Sequence, residues 1–242
     1  KNPLSQDLGV MRQTLLFGGL ESIQRNTNRR NSDLKFYEFG NCYHFHAEAE
    51  TAEGNTLARY SEEPHLALWL TGNRSATSWL RKDEKTSFYA LRAYVNGVLT
   101  RMGVDTTKLT LTPIEANELY SDGLLLQIVR GKEVTTLGTI AIVNRQLTNQ
   151  FDIDAEVFYA DLCWKTLLEQ TKRFKPVISD LPKAQEVKRD FALLVDKQVA
   201  FADLARAAFE TERKLLKNVY LFDVYEGKNL ETGKKSYALS FI

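Results

Sequence analysis

Two segments in the first part of the chain place apolar side chains at helical spacing, and each predicts an amphipathic helix. They are 13–30 and 86–102. Thr86 or Ser87 can cap the second helix, and Gly103 ends it. The apolar positions that define these two helices are Leu16, Leu20 and Ile23 in the first, and Phe88, Leu91, Val95, Val98 and Met102 in the second.

Five further segments predict strands, because each either alternates apolar and polar residues or is a continuous apolar run bounded by turn residues. In the last of them we expect five residues to face inward: Phe151, Ile153, Ala155, Val157 and Tyr159. Asp161 is then expected to cap a helix. Short turns join most of the strands, which favours an antiparallel sheet with helices packed on it and the α+β class. The predicted strands are 35–45, 65–71, 124–129, 134–143 and 151–159.

A polar segment with two prolines, 171–186, has no helical period and predicts a linker. It separates a predicted core domain, 1–170, from a smaller domain, 187–242. The smaller domain has the order strand, helix, strand, strand, near 189–195, 202–214, 216–225 and 235–242. A ferredoxin-like sandwich has the order β-α-β-β-α-β, so the pattern predicts an incomplete ferredoxin-like domain.

The charge of the chain is nearly balanced, with 32 Lys and Arg against 31 Asp and Glu, and gives no argument for nucleic acid or a membrane. From Thr171 onward, 14 basic residues stand against 10 acidic ones. The two cysteines, Cys42 and Cys163, suit a reducing cytosol without a disulfide framework. No apolar run reaches the roughly 18 residues of a spanning helix. The chain begins at Lys1, and its only methionines are Met11 and Met102, so we expect it to be a piece of a longer protein.

Two clusters contain metal-ligand residue types, and for both we favour a structural role over a metal site. Cys42, His44 and His46 form C-x-H-x-H on one face of a strand, but they span about 13 Å, so one ion would reach two at most. The D-x-D-x-E segment 152–156 alternates with apolar residues, as the solvated face of a half-buried strand does; the alternative is a Mg²⁺ site. Motifs for nucleotide-binding loops, zinc ribbons and nucleophile elbows are absent. We therefore predict no catalytic and no metal-binding residues.

Five basic residues are candidate contact residues. Arg12 precedes an apolar helix, where its guanidinium can bind an anion or make a structural hydrogen bond, and we favour the latter. Lys188 and Arg189 precede or begin the first strand of the smaller domain, and Lys234 and Lys235 precede the third. In a ferredoxin-like sheet these strands are neighbours, with the two basic pairs at opposite ends. Each pair can contact an RNA phosphate, although solvated charge is the commoner role.

Several short motifs are similar to those of a known family and occur in the same order. They are N-P-L-S at 2–5, Met11-Arg12, L-L-F-G-G-L at 15–20, F-Y-E-F-G at 36–40, Arg189-Asp190, F-D-V-Y at 222–225, Gly227 and K-K-S at 234–236. Together they resemble the bacterial phenylalanyl-tRNA synthetase β subunit over nearly the whole chain. The sequence departs from the family at Phe17, where the family has proline, at Gly19, where it has leucine, and at 140–143, which lacks the family's L-H-P turn.

The resemblance implies a class II synthetase-like antiparallel sheet with flanking helices, followed by the incomplete ferredoxin-fold anticodon-binding domain. It implies a non-catalytic subunit of a cytoplasmic α2β2 enzyme, in which the α subunit charges tRNA(Phe). ATP and Mg²⁺ would serve the whole enzyme, and none would be bound by this fragment. Lys188, Arg189, Lys234 and Lys235 would be RNA-binding residues, and Arg12 a structural or interface residue.

Two other functions stay open at this point. The first is a free-standing RNA-binding module without enzyme activity, which needs aromatic side chains exposed on a sheet face for base stacking. The second is an autonomous hydrolase that uses C-x-H-x-H as a metal site. If these aromatic rings lie on an exposed sheet face, they can stack bases; if a helix covers that face, they form a hydrophobic core. The candidate stacking residues are Phe191, Tyr220, Phe222, Tyr237 and Phe241.

Overall fold

A computed structural model divides the chain into two compact units, Lys1–Pro176 and Val177–Ile242. The division falls inside the predicted linker, of which residues 173, 176, 177 and 179–184 lie outside the described residues. Within the part that is described, no helix combines the length and apolar character needed to cross a membrane. The structure describes residues 9–48, 56–80, 82–172, 174–175, 178, 185–227 and 230–242.

In its described residues, the first unit is an antiparallel sheet of six strands with four α-helices. The sheet order is β1-β2-β6-β5-β4-β3, and every neighbouring pair is antiparallel. This arrangement confirms the predicted α+β class and the antiparallel sheet. The elements are α1 (Leu16–Thr27), β1 (Leu34–Phe45), β2 (Tyr60–Thr71), α2 (Phe88–Arg101), β3 (Leu109–Pro113), β4 (Tyr120–Arg130), β5 (Glu133–Val143), α3 (Arg145–Gln150), β6 (Val157–Cys163) and α4 (Trp164–Thr171).

Each face of this sheet carries a hydrophobic core. One face packs against α2 and α4, and its centre includes Leu68, Leu91 and Ile140. The predicted signals of α2 are present, since the Ser87 hydroxyl accepts a hydrogen bond from the Ala90 N–H and Gly103 has a φ of +78°. The other face packs against α1, with Leu20 and Ile23 of the helix buried among side chains of the sheet.

A close approach between α1 and β2 explains the glycine at position 19. Gly19 lies directly on the indole of Trp69, which is buried and packs against Tyr159 at 5.3 Å between ring centroids. A Cβ at position 19 would lie 2.5 Å from Trp69 Cζ2 and closer still to Nε1 and Cε2. The leucine that the family has here would collide with this ring, so the departure at Gly19 is coupled to the position of Trp69.

The structure corrects two predictions near residue 155. The segment 151–159 is not one strand, because α3 precedes it, Asp152 has a φ of +54°, and β6 begins only at Val157. The inward side chains are nevertheless placed as predicted, with Ile153 and Val157 buried. Asp161 does not cap a helix; it lies inside β6, and α4 begins at Trp164. Its carboxylate instead accepts hydrogen bonds across the sheet.

The second unit is a three-stranded antiparallel sheet with one helix. Its order is β7-β9-β8, so the first and second strands lie on either side of the third. This is the strand-helix-strand-strand order that the sequence predicts, in the arrangement of a ferredoxin-like sheet. The elements are β7 (Arg189–Asp196), α5 (Phe201–Thr211), β8 (Val219–Tyr225) and β9 (Lys234–Phe241).

Candidate nucleic-acid interface

The two faces of the second sheet differ in what covers them. Tyr237 points to the side of α5, where its hydroxyl donates a hydrogen bond to the carbonyl of Val199, just before the helix. A residue that lies opposite Tyr237 on a neighbouring strand points to this helix side, and so does a residue two positions from Tyr237 along β9. Their alternates, such as Ser236, Ala238 and Ser240 of β9, point to the opposite, open face.

Aromatic side chains of β8 line the open face. Tyr220 is paired with Ser240, and Tyr225 with Ser236, so both point away from the helix side. A register shift between Leu221 and Asp223 makes Phe222 the extra residue of a β-bulge. The three aromatic residues of this face, Tyr220, Phe222 and Tyr225, are between 44% and 58% exposed.

A lysine and a carboxylate border these rings. The Lys188 ammonium lies over the Phe222 ring, 5.7 Å from its centroid, within the range of a cation–π contact. The same ammonium lies 3.6 Å from the Asp190 carboxylate, which accepts a hydrogen bond from the Ser240 hydroxyl at 2.5 Å. An exposed ring beside a positive charge can stack a nucleic-acid base while the lysine contacts a phosphate.

The other predicted RNA contacts occupy different places. Arg189 is paired with Phe241, at the opposite end of β9 from Lys234 and Lys235, about 20 Å along the strand. Lys234 forms an ion pair with Asp196 at 3.5 Å. Lys235 is only 8% exposed, and its ammonium lies 4.6 Å from the Tyr237 ring centroid. The four residues therefore do not form one patch, and their RNA contacts stay a prediction.

The five candidate stacking residues divide between the two faces. Tyr220 and Phe222 are exposed on the open face, whereas Tyr237 is buried on the helix side. Phe191 and Phe241 pack edge to face on that helix side, with centroids 5.7 Å apart. Sequence reasoning missed Tyr225, because strict alternation in β8 assigns it to the helix side and only the bulge returns it to the open face.

Arg12 connects the segment before α1 to the edge strand β1 through hydrogen bonds. Its carbonyl accepts a hydrogen bond from the Tyr43 N–H, and its guanidinium donates to the carbonyl of Asn41 at 3.0 Å and to the Glu38 carboxylate at 2.7 Å. The guanidinium lies over Gly40, where a Cβ would collide with it. These contacts give Arg12 a structural place; its role at a subunit interface stays a prediction.

Neither predicted cluster of metal-ligand types forms a metal site. Cys42 is buried under α1, while the imidazole of His46 is exposed and hydrogen-bonded to the Ser61 hydroxyl at 2.9 Å. Asp154 pairs with Arg145 instead of with another carboxylate. Across all the residues whose positions are described, no three His, Cys, Asp or Glu side chains come together as metal ligands. The side chains that the structure describes therefore do not fit a Mg²⁺ site.

A half-buried polar network that the sequence did not indicate joins β2 to β6. His65 Nδ1 lies 2.5 Å from Asp161 Oδ1, and the Tyr159 hydroxyl donates to Asp161 Oδ2 at 3.0 Å. The hydrogen bond to Asp161 raises the pKa of His65, against the effect of burial. Burial and the Asp161 charge raise the pKa of the nearby Cys42 thiol to about 11, so it stays protonated and is no nucleophile at neutral pH.

Models of known protein families match both units of the chain. The phenylalanyl tRNA synthetase beta chain CLM domain matches residues 1–164, and the ferredoxin-fold anticodon binding domain matches residues 182–242. A crystal structure of pyrrolysyl-tRNA synthetase from Desulfitobacterium hafniense aligns with 67% of this chain and 50% of that chain, at 16% identity and a TM-score of 0.46.

The chain also matches curated proteins along its whole length. The phenylalanine–tRNA ligase beta subunit of Bacteroides fragilis is 52% identical over 241 residues, and that of Porphyromonas gingivalis is 46% identical over 240 residues. These alignments cover 100% and 99% of this chain but 29% of each relative. The resemblance that the short motifs indicate is thereby confirmed: the chain belongs to the family of phenylalanine–tRNA ligase beta subunits.

Proposed function

We propose that this chain is a non-catalytic, tRNA-contacting region of a phenylalanine–tRNA ligase, and that its second unit binds the anticodon loop of tRNA(Phe). The single observation that carries the proposal is the open aromatic face of the second unit. Bases of an RNA loop are unstacked and can lie on Tyr220 and Phe222, while Lys188 contacts the backbone. Membership of the family supplies the choice of tRNA.

The contact of Phe222 with a base has a testable magnitude. Stacking of one base on an aromatic side chain contributes about 1–3 kcal/mol, so Phe222→Ala should raise the Kd of the anticodon stem-loop roughly 5- to 150-fold. The matched control is Phe191→Ala, an exposed phenylalanine on the helix side of the same sheet. Titration of a fluorescently labelled stem-loop with each variant measures both values.

Two outcomes would contradict the proposal. Equal binding by the wild type and Phe222→Ala would exclude the open face as the contact surface. Binding that is independent of the loop, with a fully paired RNA hairpin bound as tightly, would indicate charge attraction in place of base stacking. A circular dichroism spectrum of each variant confirms that the second unit is folded.

We further propose that the first unit is a scaffold for a catalytic alpha subunit in an α2β2 enzyme of the cytoplasm. ATP, Mg²⁺ and phenylalanine would be bound by the catalytic subunit, and this chain would contribute no reacting group. The match of residues 1–164 to the CLM domain of phenylalanyl tRNA synthetase beta chains supports this division of labour. Co-purification of the full-length beta subunit with the alpha subunit tests the association.

A free-standing RNA-binding module is the alternative function, since the exposed rings of β8 suit it equally well. It predicts RNA binding without any association with a synthetase subunit. The matches to beta subunits along the whole chain favour the first proposal.

A further inference from the structure

A row of aromatic side chains that no other described residue covers runs along the edge of the first unit. We call it the aromatic band, defined as Tyr37, Phe39, Tyr43 and Phe45 of β1 with Tyr60 of β2. Tyr37 and Phe39 are 6.3 Å apart, and Phe45 and Tyr60 are 5.2 Å apart, between ring centroids. Four of the five residues, all except Tyr43, keep between 54% and 72% of their surface exposed.

The band lies on the sheet face that carries α2 and α4 but extends beyond these helices. Residues of β1 and β2 that pair with each other share a face, so Tyr37 and Phe39 stand beside Leu68 and Leu66 of the buried core. Trp164, at the start of α4, meets Phe39 at 4.8 Å between centroids. The hydrophobic core therefore continues into the band.

The area of the band is comparable to that of the largest apolar patch on a typical monomer. Aromatic side chains bury about 150–250 Å² each, so the four exposed rings offer on the order of 500 Å². The largest apolar patch of a typical monomer is about 300–600 Å² and is often functional. A standard protein interface buries about 800 Å² on each partner, of which the band would supply more than half.

The charge at the centre of the band selects among possible partners. Glu62 is exposed there, held by hydrogen bonds from the Asn41 amide and the Tyr43 hydroxyl. A carboxylate in this position repels RNA phosphates. It also opposes a second copy of the chain, because a two-fold axis through the band would bring two Glu62 side chains together. A different protein with a basic side chain opposite Glu62 is complementary.

We propose that the aromatic band is the docking surface for the catalytic subunit of the synthetase, with a basic side chain of that subunit paired to Glu62. The inference rests on the proposed function, which supplies a partner subunit. Rigid aromatic residues, tyrosine among them, are typical of the energetically dominant centre of an interface. The first unit would thus hold its partner through β1 and β2.

Hydroxyl-radical footprinting of the full-length beta subunit, alone and with the alpha subunit, tests the surface without mutation. Oxidation of Tyr37, Phe39 and Tyr60 should fall several-fold in the complex, and that of Tyr89, an exposed tyrosine on α2, should not. Rings that are protected already in the isolated subunit would overturn the inference, because the protein's own chain or a second copy then covers the band. Rings that stay oxidised in a formed complex would also overturn it.

Two matched variants test the energetic contribution. Tyr37→Ser should weaken association with the alpha subunit by on the order of 30-fold without changing the melting temperature, whereas Tyr89→Ser should leave both unchanged. Glu62→Gln, which keeps the shape, should weaken association and reduce its dependence on salt. Wild-type affinity in Tyr37→Ser and Glu62→Gln would refute the docking surface alone. If the wild-type subunits themselves do not associate, both the docking surface and the proposed association with an alpha subunit are refuted.

Discussion

Gly19 and Gly18 are neighbours in α1, and an alanine should have opposite effects at the two positions. At position 19 the new Cβ would stand 2.5 Å from Trp69 Cζ2, whereas favourable carbon contacts lie at about 3.5–4.0 Å. The helix would have to retreat by roughly 1 Å or more from a close-packed core. At position 18 no atom lies within 4 Å of the added methyl group.

The expected magnitudes follow from these contacts. Overpacking costs about 1–3 kcal/mol, and alanine in place of glycine returns up to about 1 kcal/mol in a helix, so Gly19→Ala should be destabilising by up to about 2 kcal/mol. Gly18→Ala has only the gain and should be stabilising by about 0.5–1 kcal/mol. For a unit of this size, 1 kcal/mol shifts the Tm by about 2–4 °C.

Tryptophan fluorescence during urea unfolding measures both effects. The three tryptophans, Trp69, Trp79 and Trp164, all belong to the first unit, so their emission reports on that unit. Replacing Trp69 by phenylalanine removes the ring atoms nearest to Gly19 and should rescue Gly19→Ala, giving a non-additive double variant. Equal stability of the two alanine variants, or strict additivity with Trp69→Phe, would refute the close approach of α1 to β2.

Two further predictions concern titratable groups of the first unit. Because Asp161 raises the pKa of His65 in the folded chain, the stabilisation from this pair is fully present below the unfolded pKa of about 6.5 and is lost as the pH rises through the folded value. Urea midpoints between pH 5.5 and 8.5 should therefore fall with pH, and His65→Gln should remove that part of the slope; an unchanged slope would contradict the pairing. Cys42, buried and with a pKa of about 11, should resist a thiol reagent at pH 8. Half-buried Cys163 should react first, and equal rates for Cys42→Ser and Cys163→Ser would disprove the difference.

The elements that the sequence predicted well are those defined by local signals. The helix α2 has its cap at Ser87 and its end at Gly103, both readable from neighbouring residues. The segment 151–159 shows the limit of a period-two pattern. Its burial alternates from Phe151 to Val157 as predicted, but a helix end and a turn at Asp152 produce this alternation as readily as a strand does, so burial alone did not determine the backbone.

The features that sequence reasoning missed depend on residues far apart in the chain. The partner of Asp161 is His65 on the neighbouring strand, 96 positions away in the chain. The residues next to Asp161 do not indicate this contact, so the sequence favoured a helix cap. The contacts of Arg12 with Glu38 and Asn41 were not predictable from the sequence, because they depend on how the chain passes the edge of β1. The open face of the second unit was only half predictable, since the bulge in β8 changes which residues share a side.

The bulge in β8 means that the number of residues in this strand, as well as their types, determines which side chains lie on the open face. With Phe222 as the additional residue, Asp223 stands opposite Ala238 and Val224 opposite Tyr237. If the same residues paired one to one without the bulge, Phe222 would stand opposite Ala238 and Asp223 opposite Tyr237, with the Asp223 carboxylate turned to the helix side and Tyr225 turned away from the open face. A relative that lacks the one residue between Leu221 and Asp223 would therefore keep Asp223 and Tyr225 on the open face in a regular strand, and would lose only the aromatic side chain of position 222.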